Sequence, residues 1–124
     1  MNKLSIIVGV VIILFLTSFN VWAQDSKNVK PETINVLADT TFLRAYEVTL
    51  KPGEKRNWHS HPAHFFYTLS AGKLVVHFKD GKNEVFDLKQ GDSGVFGSKR
   101  PEHMTENAGS TTVKYLVVEL KDNR

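Results

Sequence analysis

From Ile34 onward, apolar and polar residues alternate in short runs separated by turn residues, a pattern that predicts β-strands and no helix. Residues 42–50 alternate with Arg44, Tyr46, Val48 and Leu50 on one face, and Lys51-Pro52-Gly53-Glu54 turns the chain. Residues 57–61 read as a short strand ended by Pro62, and 64–69 as another, closed by Ser70-Ala71-Gly72. Strands at 73–78 and 84–88 flank Asp80-Gly81, a hairpin signal. A turn at 89–92 leads into 93–96, a loop at 97–101 into 102–107, and Ala108-Gly109-Ser110 into a long last strand, 111–120. About eight strands at spacings of roughly 8–12 residues predict an all-β sandwich or small barrel.

The first residues follow a different pattern. Asn2-Lys3 is a short positive start, and 4–16 is an apolar run interrupted only by Ser5 and Gly9. Val21-Trp22-Ala23 ends it with the small residues that suit signal peptidase. Residues 1–23 are therefore expected to be a signal peptide cleaved after Ala23, and the protein periplasmic or secreted. A retained anchor is the competing reading, because about 20 residues just span a bilayer. The short apolar core and the lack of a basic stop-transfer cluster favour cleavage, and hence no stable membrane insertion afterwards. Residues 24–33 are a polar linker and 34–124 the folded domain.

That mature chain carries 15 basic and 13 acidic residues, a net +2 with the basic residues scattered, so nucleic acid is not an expected partner. There is no cysteine, which excludes disulfides, thiolate metal sites and cysteine nucleophiles. The fold must rest on its own core, which about 100 residues can supply.

Histidine is where the chemistry concentrates. His59 and His61 are two apart, so in a strand both imidazoles face the same way. His103, on a later strand, would complete a three-nitrogen face on a metal with coordination positions left open. The pair alone is weak evidence, since many such pairs are simply exposed.

The surrounding spacing strengthens it. Gly53, His59, His61, Phe65 and Gly72 stand at the intervals of Gly, His-x-His, Glu and Gly in the first motif of the cupin superfamily, which this chain resembles from about Phe42 to Leu120. Gly91, with His103 and Asn107, resembles the second motif. The resemblance implies a small cupin double-stranded β-helix, a jelly-roll barrel, with His59, His61 and His103 as ligands of a divalent metal. Two departures stand out. Phe65 occupies the place of the usual metal-binding Glu. In the second motif Gly97 replaces Pro, Lys99 replaces Gly, and the His comes one residue late. Three neutral imidazoles suit Fe, Zn, Ni, Cu or Mn, leave the dication its full charge, and favour an anionic substrate or a bound hydroxide.

Strand alternation from Phe65 points Phe65, Tyr67 and Leu69 inward and makes Phe65 and Tyr67 the expected pocket residues. The same phase puts His64 outward, unless a β-bulge brings it to the metal or pocket. Phe66 is expected in the core, His77 as an ordinary strand residue, and Asn107 as a turn residue capping its strand. Arg44 and Glu119 could serve as anion clamp and general base, and Lys99-Arg100 could gather anions at the barrel mouth, but solvated faces and a basic turn explain them as well.

Three functions remain open: a small-molecule metalloenzyme of dioxygenase, isomerase or lyase type, acting on a small oxygen-rich or anionic substrate; a non-catalytic envelope protein binding a small ligand or metal; and a barrel whose pocket aromatic rings fill. A further acid or base in the pocket would separate the first two. A homodimer paired through edge strands is the expected assembly.

Overall fold

The computed structural model describes residues 33–122. The expected leader and the linker up to residue 32 lie outside the described residues. Eight strands form: β1 (Thr33–Asp39), β2 (Leu43–Leu50), β3 (His64–Ser70), β4 (Gly72–Phe78), β5 (Asn83–Leu88), β6 (Ser93–Phe96), β7 (His103–Asn107) and β8 (Val113–Leu120). They build a five-stranded sheet in the order β1-β2-β8-β3-β6 and a three-stranded sheet in the order β5-β4-β7, with antiparallel pairing throughout. The all-β expectation holds.

One expected strand is absent. Residues 57–61 do not form a regular element; the segment before Pro62 is held to β7 only by isolated bridges at Lys55–Glu106 and His59–His103. Its backbone bonds are spaced along β7: Gly53 N to Asn107 O at 2.9 Å, Arg56 N to Thr105 O at 2.8 Å, His59 N to His103 O at 2.9 Å. The eighth strand is instead β1, whose register on β2 shifts between Val36 and Ala38.

The two sheets face each other across one core. Tyr46, Val48 and Leu50 of β2 and Val113, Tyr115 and Val117 of β8 are buried and alternate with partly exposed neighbours, so the predicted phase of β2 is the one adopted. Leu74, Val76 and Leu88 close the core from the smaller sheet. Burying each such aliphatic side chain contributes about 1.5–3 kcal/mol against the entropy of ordering the strands.

Two motif glycines have structural reasons. A Cβ on Gly72 would stand 2.3 Å from Val113 Cγ2, so only glycine lets β4 start against β8. Gly91 has φ +89°, the left-handed conformation that glycine adopts without strain.

Asn107 does more than end a strand. Fully buried, it donates from Nδ2 to Leu50 O and Thr111 O, both at 2.8 Å, and accepts from Gly109 N at 3.0 Å. It ties the ends of β2, β7 and the turn before β8 together. Asn107→Ala should cost about 2–4 kcal/mol, because it strands buried carbonyls. Urea denaturation followed by circular dichroism checks this: a lowered midpoint at unchanged slope is expected, and a midpoint equal to wild type contradicts the role given to Asn107.

Candidate metal centre

His59 and His103 form a directly paired antiparallel bridge, with reciprocal backbone bonds of 2.9 Å. Opposite residues of such a pair project to the same face, and the two rings stand with centroids 4.6 Å apart. His61 follows after one residue, its ring 4.7 Å from His59 and 5.4 Å from His103. One ligating nitrogen from each of the three lies within 4.8 Å of the others. Nitrogen–metal bonds of about 2.1 Å at tetrahedral angles set the nitrogens about 3.4 Å apart, so the rings close by up to about 1.4 Å to grip an ion.

Each ring is held by its other nitrogen. His59 Nδ1 donates to Asn57 O at 2.6 Å and His103 Nδ1 to Pro101 O at 2.8 Å, in both cases the carbonyl two residues back. A carbonyl only accepts, so each Nδ1 carries the proton and each Nε2 presents a lone pair. His61 Nδ1 donates to Glu119 Oε1 at 2.7 Å, and the same oxygen accepts from the Tyr46 hydroxyl at 2.7 Å. His59 Nε2 is buried and makes no hydrogen bond within the fold, an arrangement that costs free energy unless something binds there. The donor set and this bare nitrogen fit a divalent ion.

Charge regulation agrees with the geometry. Burial, then the nearby Arg56 charge, pushes His59 down to about 4. Burial likewise pushes His61 to about 4, although its bond to Glu119 opposes the shift. His103 is lowered, mainly by burial. All three are neutral at pH 7, the form that binds metal. Burial tends to raise Glu119, but the bonds from His61 and Tyr46 outweigh it and hold the carboxyl below its usual range. Burial and the bond to Glu119 raise Tyr46.

The phase expected for β3 is reversed. His64 is buried at 7 %, while Phe65 and Tyr67 are 37 % and 39 % exposed on the outer face. Register explains it: β3 pairs His64 with Glu119 and Phe96 and Phe66 with Val117 and Gly94, placing His64, Phe66 and Thr68 inside without any bulge between them. Phe65 and Tyr67 are therefore not pocket residues. His64 lies with its ring 4.5 Å from His61 and its Nδ1 3.0 Å from Pro62 O, again the carbonyl two back.

His61, His64 and His103 open on a cavity of about 80 Å³ between the sheets. Phe66, Phe86, Leu74 and Val76 line it, and Arg56 and Arg100 enter its wall. Arg100 stacks on Phe96, 4.3 Å from the ring centroid, and is ion-paired with Glu84. Arg44 lies over the Tyr46 ring, away from the cavity, and Glu119 backs His61 from behind it. His77 faces outward and bonds Glu106 at 2.7 Å. Arg56, only 4 % exposed, gives no signal in the sequence: it sits in an irregular segment where alternation assigns no face.

The cupin domain profile matches residues 46–119, more than half of the chain, and the chain belongs to the cupin family. Its fold resembles a cupin domain from Bordetella pertussis Tohama I (TM-score 0.68, 21 % identity, 76 % of this chain and 97 % of that one). It also resembles a double-stranded β-helix protein from Klebsiella pneumoniae (0.61, 21 %, 79 % and 87 %) and an RmlC-like cupin from Methanocaldococcus jannaschii (0.60, 16 %, 76 % and 84 %). At these identities the likeness concerns the fold. Among curated proteins none matches the chain.

Two outcomes follow. Because the folded histidines have lowered pKa values, the unfolded chain binds more protons below its own histidine pKa of about 6.5. Stability of the metal-free protein should be full above about pH 6.5 and fall as pH drops toward about 4; urea midpoints across that range check it, and a flat profile contradicts it. Glu119→Gln removes the carboxylate that orients His61 and should weaken metal binding by roughly 10- to 100-fold. Tyr46→Phe should have a smaller effect, and competition against a chromogenic chelator measures both.

Proposed function

We propose that the chain is an exported, metal-dependent cupin enzyme acting on a small oxygen-rich or anionic molecule. The observation that carries this reading is the convergence of three neutral imidazoles, each pinned at Nδ1, beside one small pocket that His61 and His103 line. His59, His61 and His103 would hold Fe, Zn, Ni, Cu or Mn, all compatible with nitrogen donors. Such an ion supplies Lewis acidity and, if redox-active, dioxygen chemistry.

His64 favours catalysis over storage. It adds a titratable side chain to the pocket beside the three ligands, with its Nδ1–H committed to Pro62 O, so Nε2 is the atom that can take or hold a proton. The outward placement of Phe65 and Tyr67 removes the aromatic plug that a purely structural barrel would need. The apolar wall limits water around the reacting group and strengthens polar contacts within the pocket.

Metal analysis of the purified protein tests the reading. Wild type should retain about one equivalent of a divalent ion, and the His59→Ala/His103→Ala double variant should lose nearly all of it. Equal metal content in the two would dismiss the site. His64→Gln should keep the metal yet lose most turnover, monitored as oxygen uptake or product formation with a panel of small acids; unchanged turnover would take His64 out of the mechanism.

A further inference from the structure

An antiparallel sheet that packs one face on a core commonly turns polar side chains to water on the other. The smaller sheet does so. Its outer face sets Lys73 opposite Asp87 and His77 opposite Asn83, on either side of one Val75–Val85 pair. The larger sheet differs. Its register aligns Val95, Phe65, Val118, Ala45 and Ala38 in one outward row that crosses all five strands, β6, β3, β8, β2 and β1. Leu43 and Leu120 pair in the row on one side, and Tyr67 and Leu116 in the row on the other. Val95 is 76 % exposed and Leu120 56 %, and Phe65 and Tyr67 stand out from the same face.

Area and charge identify what covers this face. Five strands about 4.8 Å apart and about seven residues long make a face of roughly 24 by 23 Å, about 550 Å² in plan. The relief of the side chains brings its accessible area near the ~800 Å² that each partner of a standard interface buries. The apolar positions occupy about half of the plan and centre on β8, the middle strand. Glu47, Lys114, Asn35 and Ser93 border them, so an apolar core lies within a polar rim, the anatomy of a protein–protein interface. Glu47 and Lys114 stand 3.9 Å apart and offset each other's charge, so a second copy brings no net charge against the first.

Other covers fit less well. An anionic membrane surface would call for an excess of basic side chains beside the patch, whereas Lys114 is balanced there by Glu47. Residues 24–32, with Val29 as their one aliphatic side chain, lack the apolar bulk. Strand-to-strand pairing is discouraged at both edges, because β1 shifts register between Val36 and Ala38 and β6 has four residues.

We propose that two copies of the chain pack the outer faces of their larger sheets together across a twofold axis. Such an interface uses the same patch on both copies. It lies behind β3 and β8, on the side away from His64 and the cavity, so each copy keeps its own histidine site and the proposal is independent of the metal.

Sedimentation equilibrium of the purified protein tests this. Interfaces of this size bind at micromolar affinity or tighter, so wild type at about 100 µM should show twice the chain mass. Phe65→Glu puts an unpaired carboxylate into the apolar centre and should weaken the dimer at least about 100-fold. Val95→Glu should weaken it by roughly 10-fold or more. Val95 is already mostly exposed on an edge strand, so this variant decides the matter if Phe65→Glu loses the β-sheet signal in circular dichroism. Val75→Glu, on the outer face of the smaller sheet, should leave the doubled mass unchanged. A single chain mass for wild type overturns the proposal, and binding of that monomer to phosphatidylcholine–phosphatidylglycerol vesicles would reassign the face to a membrane surface. A dimer that survives Val95→Glu and a folded Phe65→Glu at wild-type affinity overturns it too, as does one that Val75→Glu dissociates equally.

Discussion

Four imidazole Nδ1–H groups are each tied to an oxygen, three of them to the carbonyl two residues back and the fourth to Glu119. These bonds determine the tautomer of every ring, and the tautomer determines that a bare Nε2 is what each ring turns to its neighbours. Burial then keeps the three candidate ligands uncharged. Without the Nδ1 bonds the rings could rotate or switch tautomer, and the three Nε2 lone pairs would no longer face one point.

The local bonds share one design. Asn57 O, Pro62 O and Pro101 O lie in irregular segments that are not satisfied by ladder bonding, and each finds its partner in the histidine two positions on. The loops that interrupt the barrel are thus what orient its chemistry. His61 lacks this local tether and depends on a long-range one, 58 residues away in sequence, through Glu119 and Tyr46. A carboxylate behind a histidine raises its basicity as a ligand. This chain therefore keeps a carboxylate next to its site, bonded to His61, although Phe65 stands where the family motif places an acidic ligand.

The barrel explains why these parts meet. In the larger sheet one inward row runs Glu119, His64, Phe96, and the next runs Tyr46, Val117, Phe66, Gly94. The first row carries the polar machinery at the mouth and the second begins the apolar floor. The 53–59 segment, laid along β7 by spaced backbone bonds, brings Arg56, His59 and His103 to the opposite wall.

The amino-acid sequence by itself determined the fold class, most strand positions and the three histidines, because period-two patterning, turn glycines and motif spacing are local properties that survive any tertiary arrangement. It also made Asn107 and Gly72 legible as turn residues, though not the close approach to Val113 that requires Gly72. The phase of β3 was beyond it. His64-Phe65-Phe66-Tyr67 carries apolar bulk on both faces, so alternation has no preferred side, and only pairing with β8 and β6 chose between them. The same holds for Arg56 and Glu119. A charged side chain is normally solvated, and only the tertiary structure, by enclosing one guanidinium in the cavity and one carboxylate behind His61, turned these two into parts of the site.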